Sequence, residues 1–208
     1  MDGPARVELS GATTRNWVCK TANLLVDGYG SPATVGLLLP LHWQTPCLLL
    51  GAVAAGASVV VASAPGQLAG CALAFTTVET AEAALDAGVE DVLACSMTPL
   101  ATRLASVPSM VIDAATEIPS YGDHFNGRPG PPRLAVDGRP FVVPALELGA
   151  TDRVLTALDP RTAVGLAALL GPLAAGAAVV LLLDGDRDAA VAQEQVTAIM
   201  DAGGLRRV

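Results

Sequence analysis

The chain has 208 residues, of which 52% are hydrophobic and 15% are charged, and its formal net charge is −8 at pH 7. A chain of this length and apolar content can build a hydrophobic core and is not intrinsically disordered. Its longest run of basic residues is the pair Arg206-Arg207. Sequence-independent binding to nucleic acid requires a basic surface that neutralises phosphates, so we exclude nucleic acid as a partner.

The first half of the chain predicts a helix followed by alternating strands and helices. An amphipathic segment after residues 11–14 predicts a helix that follows a Thr cap and runs to Asp27. Gly56 and Gly88 stand where the next two predicted helices end, because glycine readily takes the left-handed conformation that closes a helix. The predicted elements are strand 35–39, helix 43–55, strand 58–62, strand 71–76, helix 78–87, strand 91–96 and strand 110–113.

Residues 118–144 are rich in proline and glycine, which predicts a loop or linker. Periodicity then returns, with strand 153–158, helix 162–175, strand 178–183 and a last helix over 188–200. We therefore expect a first α/β lobe over 1–117, a linker over 118–144 and a second, partial lobe over 145–208, which can pack as one domain. The predicted fold class is α/β, with mostly parallel sheet flanked by helices on both faces.

The apolar run over residues 163–183 is long enough to cross a bilayer. Gly171-Pro172 and Gly176 interrupt it, and a β-like cluster follows at 179–183. This pattern favours a helix, a turn and a buried strand, so no membrane span is expected. The first ten residues lack the pattern of a secretory signal, which predicts a cytoplasmic protein.

The four cysteines form no Cys-x-x-Cys pair and have no pair of histidines beside them. They therefore do not suit a zinc site and are expected to be small buried residues of a protein in a reducing compartment. Asp184, Asp186 and Asp188 resemble the start of a calcium loop, but the glycine and glutamate that such a loop needs are replaced by Ala189 and Gln195. We expect a strand-to-helix turn there and no metal.

Two segments, 54–60 and 174–180, repeat the pattern Ala-Ala-Gly-Ala-x-Val-Val 120 residues apart. One interpretation is that the chain holds two similar α/β lobes. The alternative is that this pattern is simply how an alanine-rich helix turns into a strand.

Several segments together carry a family resemblance: residues 17–25, 35–40 and 54–61, then Asp152-Arg153-Val154-Leu155 and the run 170–182. They resemble the amino-terminal lobe of adenylate-forming enzymes, the acyl-CoA synthetase and AMP-binding superfamily. The chain resembles in particular short actinobacterial proteins that are described as acyl-CoA synthetase-like. The resemblance implies an α/β lobe and, for the whole family, ATP-dependent activation of carboxylic acids.

The resemblance also implies a phosphate-binding loop with a threonine run and a lysine, and the sequence has none. The nearest remnant is the segment 126–130, in which Gly127, Arg128 and Pro129 keep a Gly-x-Pro skeleton and Arg128 is a candidate anion ligand. At the place where the family has an aromatic residue and a histidine beside the acyl pocket, this sequence has Arg161 and Thr162. The family's later motifs would lie beyond residue 208.

His42 is a further candidate, because it follows a predicted strand at the sheet edge where open α/β sheets bind ligands. The sequence shows no Gly-x-Gly-x-x-Gly, no Walker loop and no Gly-x-Ser-x-Gly elbow. His124 lies in the proline-rich segment without a paired nucleophile.

These observations predict a non-catalytic relative of the acyl-CoA synthetases that acts as a binding or interaction protein, with no cofactor and with homo-oligomerisation or a protein partner. AMP, ATP, CoA or an acyl group are the candidate ligands. One alternative is an enzyme with a rebuilt site near His42, Thr76, Thr77 and Arg161. Another is a subunit that completes a site with another chain.

Overall fold

The computed structural model describes residues 6–127, 130, 131 and 133–208. Within these residues, strands and helices alternate along the chain, and the strands form two sheets of seven and four strands. Helices pack on both faces of the larger sheet. The predicted α/β fold with mostly parallel sheet is confirmed.

The larger sheet contains the strands of the first 141 residues in the order β5-β4-β3-β1-β2-β6-β7. All neighbours are parallel except the β6–β7 pair, which is an antiparallel hairpin at one edge. Central strands such as β1 and β3 are buried nearly throughout, which explains their continuous apolar sequence. The strands are β1 (Thr34–Leu38), β2 (Ser58–Val61), β3 (Leu73–Thr77), β4 (Asp91–Cys95), β5 (Val111–Asp113), β6 (Arg133–Val136) and β7 (Arg139–Phe141).

The smaller sheet has the order β11-β10-β8-β9, with the β10–β11 pair antiparallel and the others parallel. Its strands are β8 (Arg153–Thr156), β9 (Ala178–Leu181), β10 (Ala198–Asp201) and β11 (Gly204–Arg207). The helices of the chain are α1 (Gly11–Asn23), α2 (Gln44–Ala54), α3 (Val78–Asp86), α4 (Ala114–Glu117), α5 (Ala163–Ala174) and α6 (Arg187–Gln193). A π-helical turn over Leu24–Gly28 extends α1, and 3-10 turns cover Pro65–Leu68 and Ile118–Ser120.

Helix α5 lies between the two sheets. Its residues Leu166, Leu169 and Leu170 belong to the main core with β1, β2, β3 and α2. On the same helix, Ala168 packs with Val154 of β8 in a separate cluster that belongs to the smaller sheet. The two sheets therefore share a helix whose side chains are buried against both.

The predicted last helix over 188–200 is wrong in its second half. Helix α6 ends at Gln193, and the chain continues as β10, in which Ala198 and Ile199 pair with β8. The five residues from Val196 to Met200 include three β-branched side chains, Val196, Thr197 and Ile199, which suits a strand. The spacing of apolar residues did not distinguish a helix from a strand here, and pairing with the buried strand β8 made the segment a strand.

Part of the predicted linker is also wrong, because β6 and β7 lie within residues 118–144. Asp137 and Gly138 both have positive φ, 50° and 70°, as a type I′ hairpin turn requires. The Asp-Gly pair was the signal for this hairpin, and β6 then pairs with β2. The division of the chain into two lobes stays a prediction.

The predicted Thr cap of the first helix is wrong as well. Ser10 is the capping residue, and its Oγ accepts a hydrogen bond from the backbone N–H of Thr13 at 3.1 Å. The helix therefore begins at Gly11, before the threonines.

The long apolar run over 163–183 is helix α5, a turn and strand β9, in the predicted order. The prediction that this strand is buried is wrong, because β9 lies at a sheet edge with Ala178 exposed and the rest half-buried. In the part of the chain that the structure describes, no helix has both the length and the apolar character needed to cross a membrane.

Candidate functional site

His42 lies between β1 and α2, at the carboxyl edge of the larger sheet, and its side chain is buried. Nδ1 accepts a hydrogen bond from the backbone N–H of Gln44 at 3.3 Å, and Nε2 lies 3.2 Å from the carbonyl oxygen of Thr98. This pair of partners selects the neutral ring with its proton on Nε2, because Thr98 offers only an acceptor there. The ring joins the start of α2 to the loop after β4.

Burial lowers the pKa of His42 below its ordinary value, since the charged ring would lose its hydration. Both ring nitrogens already have partners in the protein. In this arrangement His42 is neutral at pH 7 and has no free nitrogen for proton transfer to a ligand.

The loop after β4 is held in place by several further hydrogen bonds. Trp43 Nε1 donates to the carbonyl oxygen of Pro99 at 2.9 Å. The Thr98 hydroxyl lies 2.9 Å from that of Ser96 and 3.0 Å from that of Thr102. The same loop lines an open groove of about 480 Å³ with Thr98, Pro99, Leu100 and Thr102, and Arg6 and Val7 complete the lining.

Two polar atoms at this sheet edge have no hydrogen-bond partner within the described residues: Oε1 of Gln44 and Oγ1 of Thr76. Their residues are 2% and 0% exposed. A buried polar group without a partner costs about 1–3 kcal/mol. A polar ligand that formed hydrogen bonds with these two atoms would offset that cost. Thr76 was named in the sequence analysis; Gln44 was missed, although a glutamine two residues after a candidate histidine at a helix start was an available signal.

Arg161 and Thr162 follow β8, at the carboxyl edge of the smaller sheet. The Arg161 guanidinium donates to both carboxylate oxygens of Asp159, at 2.7 to 3.0 Å, and holds the pKa of that carboxyl below its ordinary value. Thr162 caps α5, with its Oγ1 accepting from the backbone N–H of Gly165 at 3.1 Å. Both side chains therefore build the turn that starts α5.

Gly127 lies on the surface, where an added Cβ would lie 2.3 Å from the ring of Phe125. The neighbouring candidates Arg128 and Pro129 lie outside the described residues. The aspartates at 184–188 form the expected strand-to-helix turn, with Asp186 as the cap of α6.

The structure does not join the candidate residues into one site. Among the hydrogen bonds and ion pairs of the described residues, none links His42, Arg161, Thr162 and Gly127 to one another. A second cleft, of about 240 Å³, lies between α2 and α5, and neither cleft is lined by these residues. The lining of that second cleft is entirely aliphatic: Leu49, Leu50, Val53, Leu134, Val143, Leu170, Leu173 and Ala174.

Comparison with known proteins assigns the family. No model of a known protein family matches the chain. A TIGR03089 family protein of Mycobacterium tuberculosis is 31% identical over 209 residues, which cover 94% of this chain and 86% of that protein. The chain belongs to the TIGR03089 family.

Solved structures similar to this TIGR03089 chain are acyl-CoA synthetases and related ligases. An acyl-CoA synthetase of Brucella canis matches with a TM-score of 0.75 at 21% identity, over 93% of this chain and 42% of that one. A benzoate CoA ligase of Burkholderia xenovorans matches with a TM-score of 0.66 at 17% identity, over 89% and 42%. A fatty acyl CoA synthetase of Mycobacterium tuberculosis matches with a TM-score of 0.65 at 16% identity, over 91% and 43%.

The chain thus spans less than half the length of these enzymes. The matched part is their amino-terminal lobe, so the resemblance inferred from the sequence is confirmed for the fold.

Proposed function

We propose that the chain is a non-catalytic relative of the acyl-CoA synthetases that acts as a binding or interaction protein. The observation that carries this proposal is the pairing of Arg161 with Asp159, at the place where the resemblance puts the border of the acyl pocket. The guanidinium already donates to both carboxylate oxygens, so its charge is largely compensated. Thr162 is likewise engaged as the cap of α5.

The sequence supports the same proposal through the missing phosphate loop. An ATP-binding loop surrounds phosphate oxygens with backbone N–H groups and a lysine. The single lysine of the chain, Lys20, forms an ion pair with Asp123 at 2.9 Å and donates to the carbonyl oxygen of Pro119. It lies on α1 and is not available to replace that lysine.

The test is ATP–pyrophosphate exchange with a panel of fatty and aryl carboxylic acids, with an active acyl-CoA synthetase as the positive control. We expect no exchange above the background measured without protein. Exchange with any acid of the panel would contradict the proposal, because it requires an acyl adenylate to form.

A variant pair tests the part played by the ion pair. Asp159→Asn releases Arg161, whereas Asp184→Asn makes the same charge change at an exposed turn. In thermal-shift titrations with AMP and CoA we expect the wild type and Asp184→Asn not to respond and Asp159→Asn to gain affinity for these anions. Stabilisation of the wild type that Asp159→Asn weakens would show instead that the intact pair is part of a working ligand site.

A second candidate is a small-ligand site at the carboxyl edge of the larger sheet, which the unpartnered atoms of Gln44 and Thr76 favour. Thermal-shift titration with acyl-CoA and fatty acids, on the wild type and on Gln44→Leu, distinguishes it. A ligand present at a hundred times its Kd stabilises the folded state by about 2.7 kcal/mol, so a real ligand is detectable. Stabilisation that Gln44→Leu abolishes would support the second candidate over the first.

A further inference from the structure

The described part of the chain has four outer sheet edges, and three of them are protected against pairing with another strand. Natural proteins protect such edges with charged residues, proline or very short strands. Strand β5 is three residues long and ends in Asp113, β7 contains Arg139 and Pro140, and β11 ends in Arg206 and Arg207.

Strand β9, the fourth edge, has none of these protections. Residues 177–183 are Ala-Ala-Val-Val-Leu-Leu-Leu, with no charge and no proline. Ala178 is exposed, the rest of β9 is only half-buried, and Leu183 is 62% exposed. By contrast, the neighbouring strand β8 is buried over three of its four residues. This edge keeps the sequence of an inner strand.

The backbone of β9 also presents unpaired groups on its outer side. Ala178 and Leu182 donate to carbonyl oxygens of Asp152 and Thr156, so the even-numbered residues of β9 face β8. Because successive residues alternate, the N–H and C=O groups of Val179 and Leu181 point to the open edge. No described strand pairs with that edge.

We propose that β9 pairs with β9 of a second copy of this chain, antiparallel and around a twofold axis. The pairing joins two four-stranded sheets into one sheet of eight strands. It is isologous, so it closes at the dimer and leaves neither copy with an open β9 edge. This interface does not depend on the absence of catalysis proposed above.

Antiparallel pairing centred on Val180 fits the strand in both hydrogen bonding and size. The backbone of Val179 in one copy then exchanges hydrogen bonds with the backbone of the partner's Leu181. By symmetry, Leu181 of the first copy does the same with the partner's Val179. Large and small side chains face each other: Leu182 lies opposite the partner's Ala178, and Leu183 opposite the partner's Ala177. At both ends of the paired segment the long leucine side chains therefore meet alanines.

Charge also permits this pairing, although each chain carries a net charge of −8. The first charged residue after the strand is Asp184, and this register places it opposite the partner's Gly176. The two copies of Asp184 lie at opposite ends of the paired strands, about 27 Å apart at roughly 3.4 Å per residue. That distance exceeds the Debye length of about 8 Å at physiological salt, so their repulsion is screened.

The test is the mass of the full chain in solution, measured by light scattering and sedimentation over a wide range of chain concentration. We expect a reversible dimer, with twice the 20.9 kDa of one chain. Leu183→Lys and Ala178→Lys each place a charge in the interface, and we expect each to weaken dimerisation about tenfold or more. In hydrogen exchange, the amides of Val179 and Leu181 should be protected in the wild type and exchange faster in both variants.

Leu100→Lys is the matched control, because Leu100 is 74% exposed and lies in the loop after β4. It should leave the dimer unchanged, and all three variants should keep the thermal stability of the monomer. A wild-type chain that stays monomeric at every concentration overturns the proposal. So does a dimer that resists both β9 variants, one that Leu100→Lys disrupts equally, or growth into open-ended polymers.

Discussion

A histidine that follows a buried strand can carry protons or can serve as a hydrogen-bonded link, and burial decides between these roles for His42. The sequence places it at the correct sheet edge, and the structure adds that both ring nitrogens are engaged by Gln44 and Thr98. The same holds for Arg161 and Thr162: Arg161 pairs with Asp159, and Thr162 caps α5. Residue type and position are visible in the sequence, but the partners are not.

The four cysteines illustrate the opposite case, in which the sequence was sufficient. All four are buried and unpaired, as their spacing and neighbours predicted. Burial raises the pKa of Cys47 to about 12, which suits a thiol that packs and does not react.

The lowered pKa of His42 predicts a pH dependence of stability. The unfolded ring has a pKa of about 6.5 and the folded ring a lower one, so the folded state binds its proton less readily. The contribution of the neutral ring is therefore complete above about pH 6.5 and is lost as the pH falls through the folded pKa. In urea titrations between neutral and mildly acidic pH, the wild type should lose stability more steeply than His42→Gln, by at most about 1.4 kcal/mol per pH unit.

His124→Gln is the control for this experiment, because His124 is exposed in the segment before β6. It should follow the wild type. Equal slopes for the wild type and His42→Gln would show that His42 is not held neutral by the fold.

The same type of glycine turn ends three helices of this chain and leads each into the next strand. Gly56, Gly88 and Gly176 end α2, α3 and α5, with φ of 88°, 89° and 80°. In each case the glycine N–H bonds to the carbonyl three residues back and the next N–H to the carbonyl five back. Since the same turn also occurs at Gly88, outside the repeat, this local chemistry is sufficient to account for the repeat at 54–60 and 174–180 without two similar lobes.

Glycine is required at Gly165 for a different reason, because α5 and the turn before it approach each other closely there. A Cβ at this position would lie 1.8 Å from the carbonyl oxygen of Asp159, a backbone atom that cannot move away easily. Gly165→Ala should therefore reduce the free energy of unfolding by about 3 kcal/mol, measured by urea denaturation.

Gly11→Ala is the matched change at the first position of α1, where an added Cβ has no atom within 4 Å. Its effect should stay within about 0.5 kcal/mol of zero. A Gly165→Ala chain as stable as the Gly11→Ala chain would mean that the turn at Asp159 relaxes freely.

At the scale of the whole molecule, the main core extends across both sheets through α5. A shared core couples the unfolding of its parts, so we expect one cooperative thermal transition, with equal calorimetric and van't Hoff enthalpies. Leu169 is 1% exposed in that core. Leu169→Ala should lower the free energy of unfolding by about 2–5 kcal/mol, and the chain should still unfold in a single transition.

Val164→Ala on the same helix shortens an apolar side chain that is 48% exposed and should have a much smaller effect. Two separate transitions, of which Leu169→Ala moves only one, would instead support two independently folding lobes. That result would favour the division into 1–117 and 145–208 predicted from the sequence.

The sequence by itself determined the fold class, the existence of most strands and helices and the family resemblance. These features depend on the spacing of apolar residues and on glycines that end helices, both of which involve only a few neighbouring residues. Tertiary structure decided which strands became neighbours, and so converted the end of a predicted helix into β10 and part of a predicted linker into β6 and β7. It also decided that His42, Arg161 and Thr162 are engaged within the protein and that β9 lies at an open edge. These outcomes depend on contacts between residues distant in the chain, which local pattern does not encode.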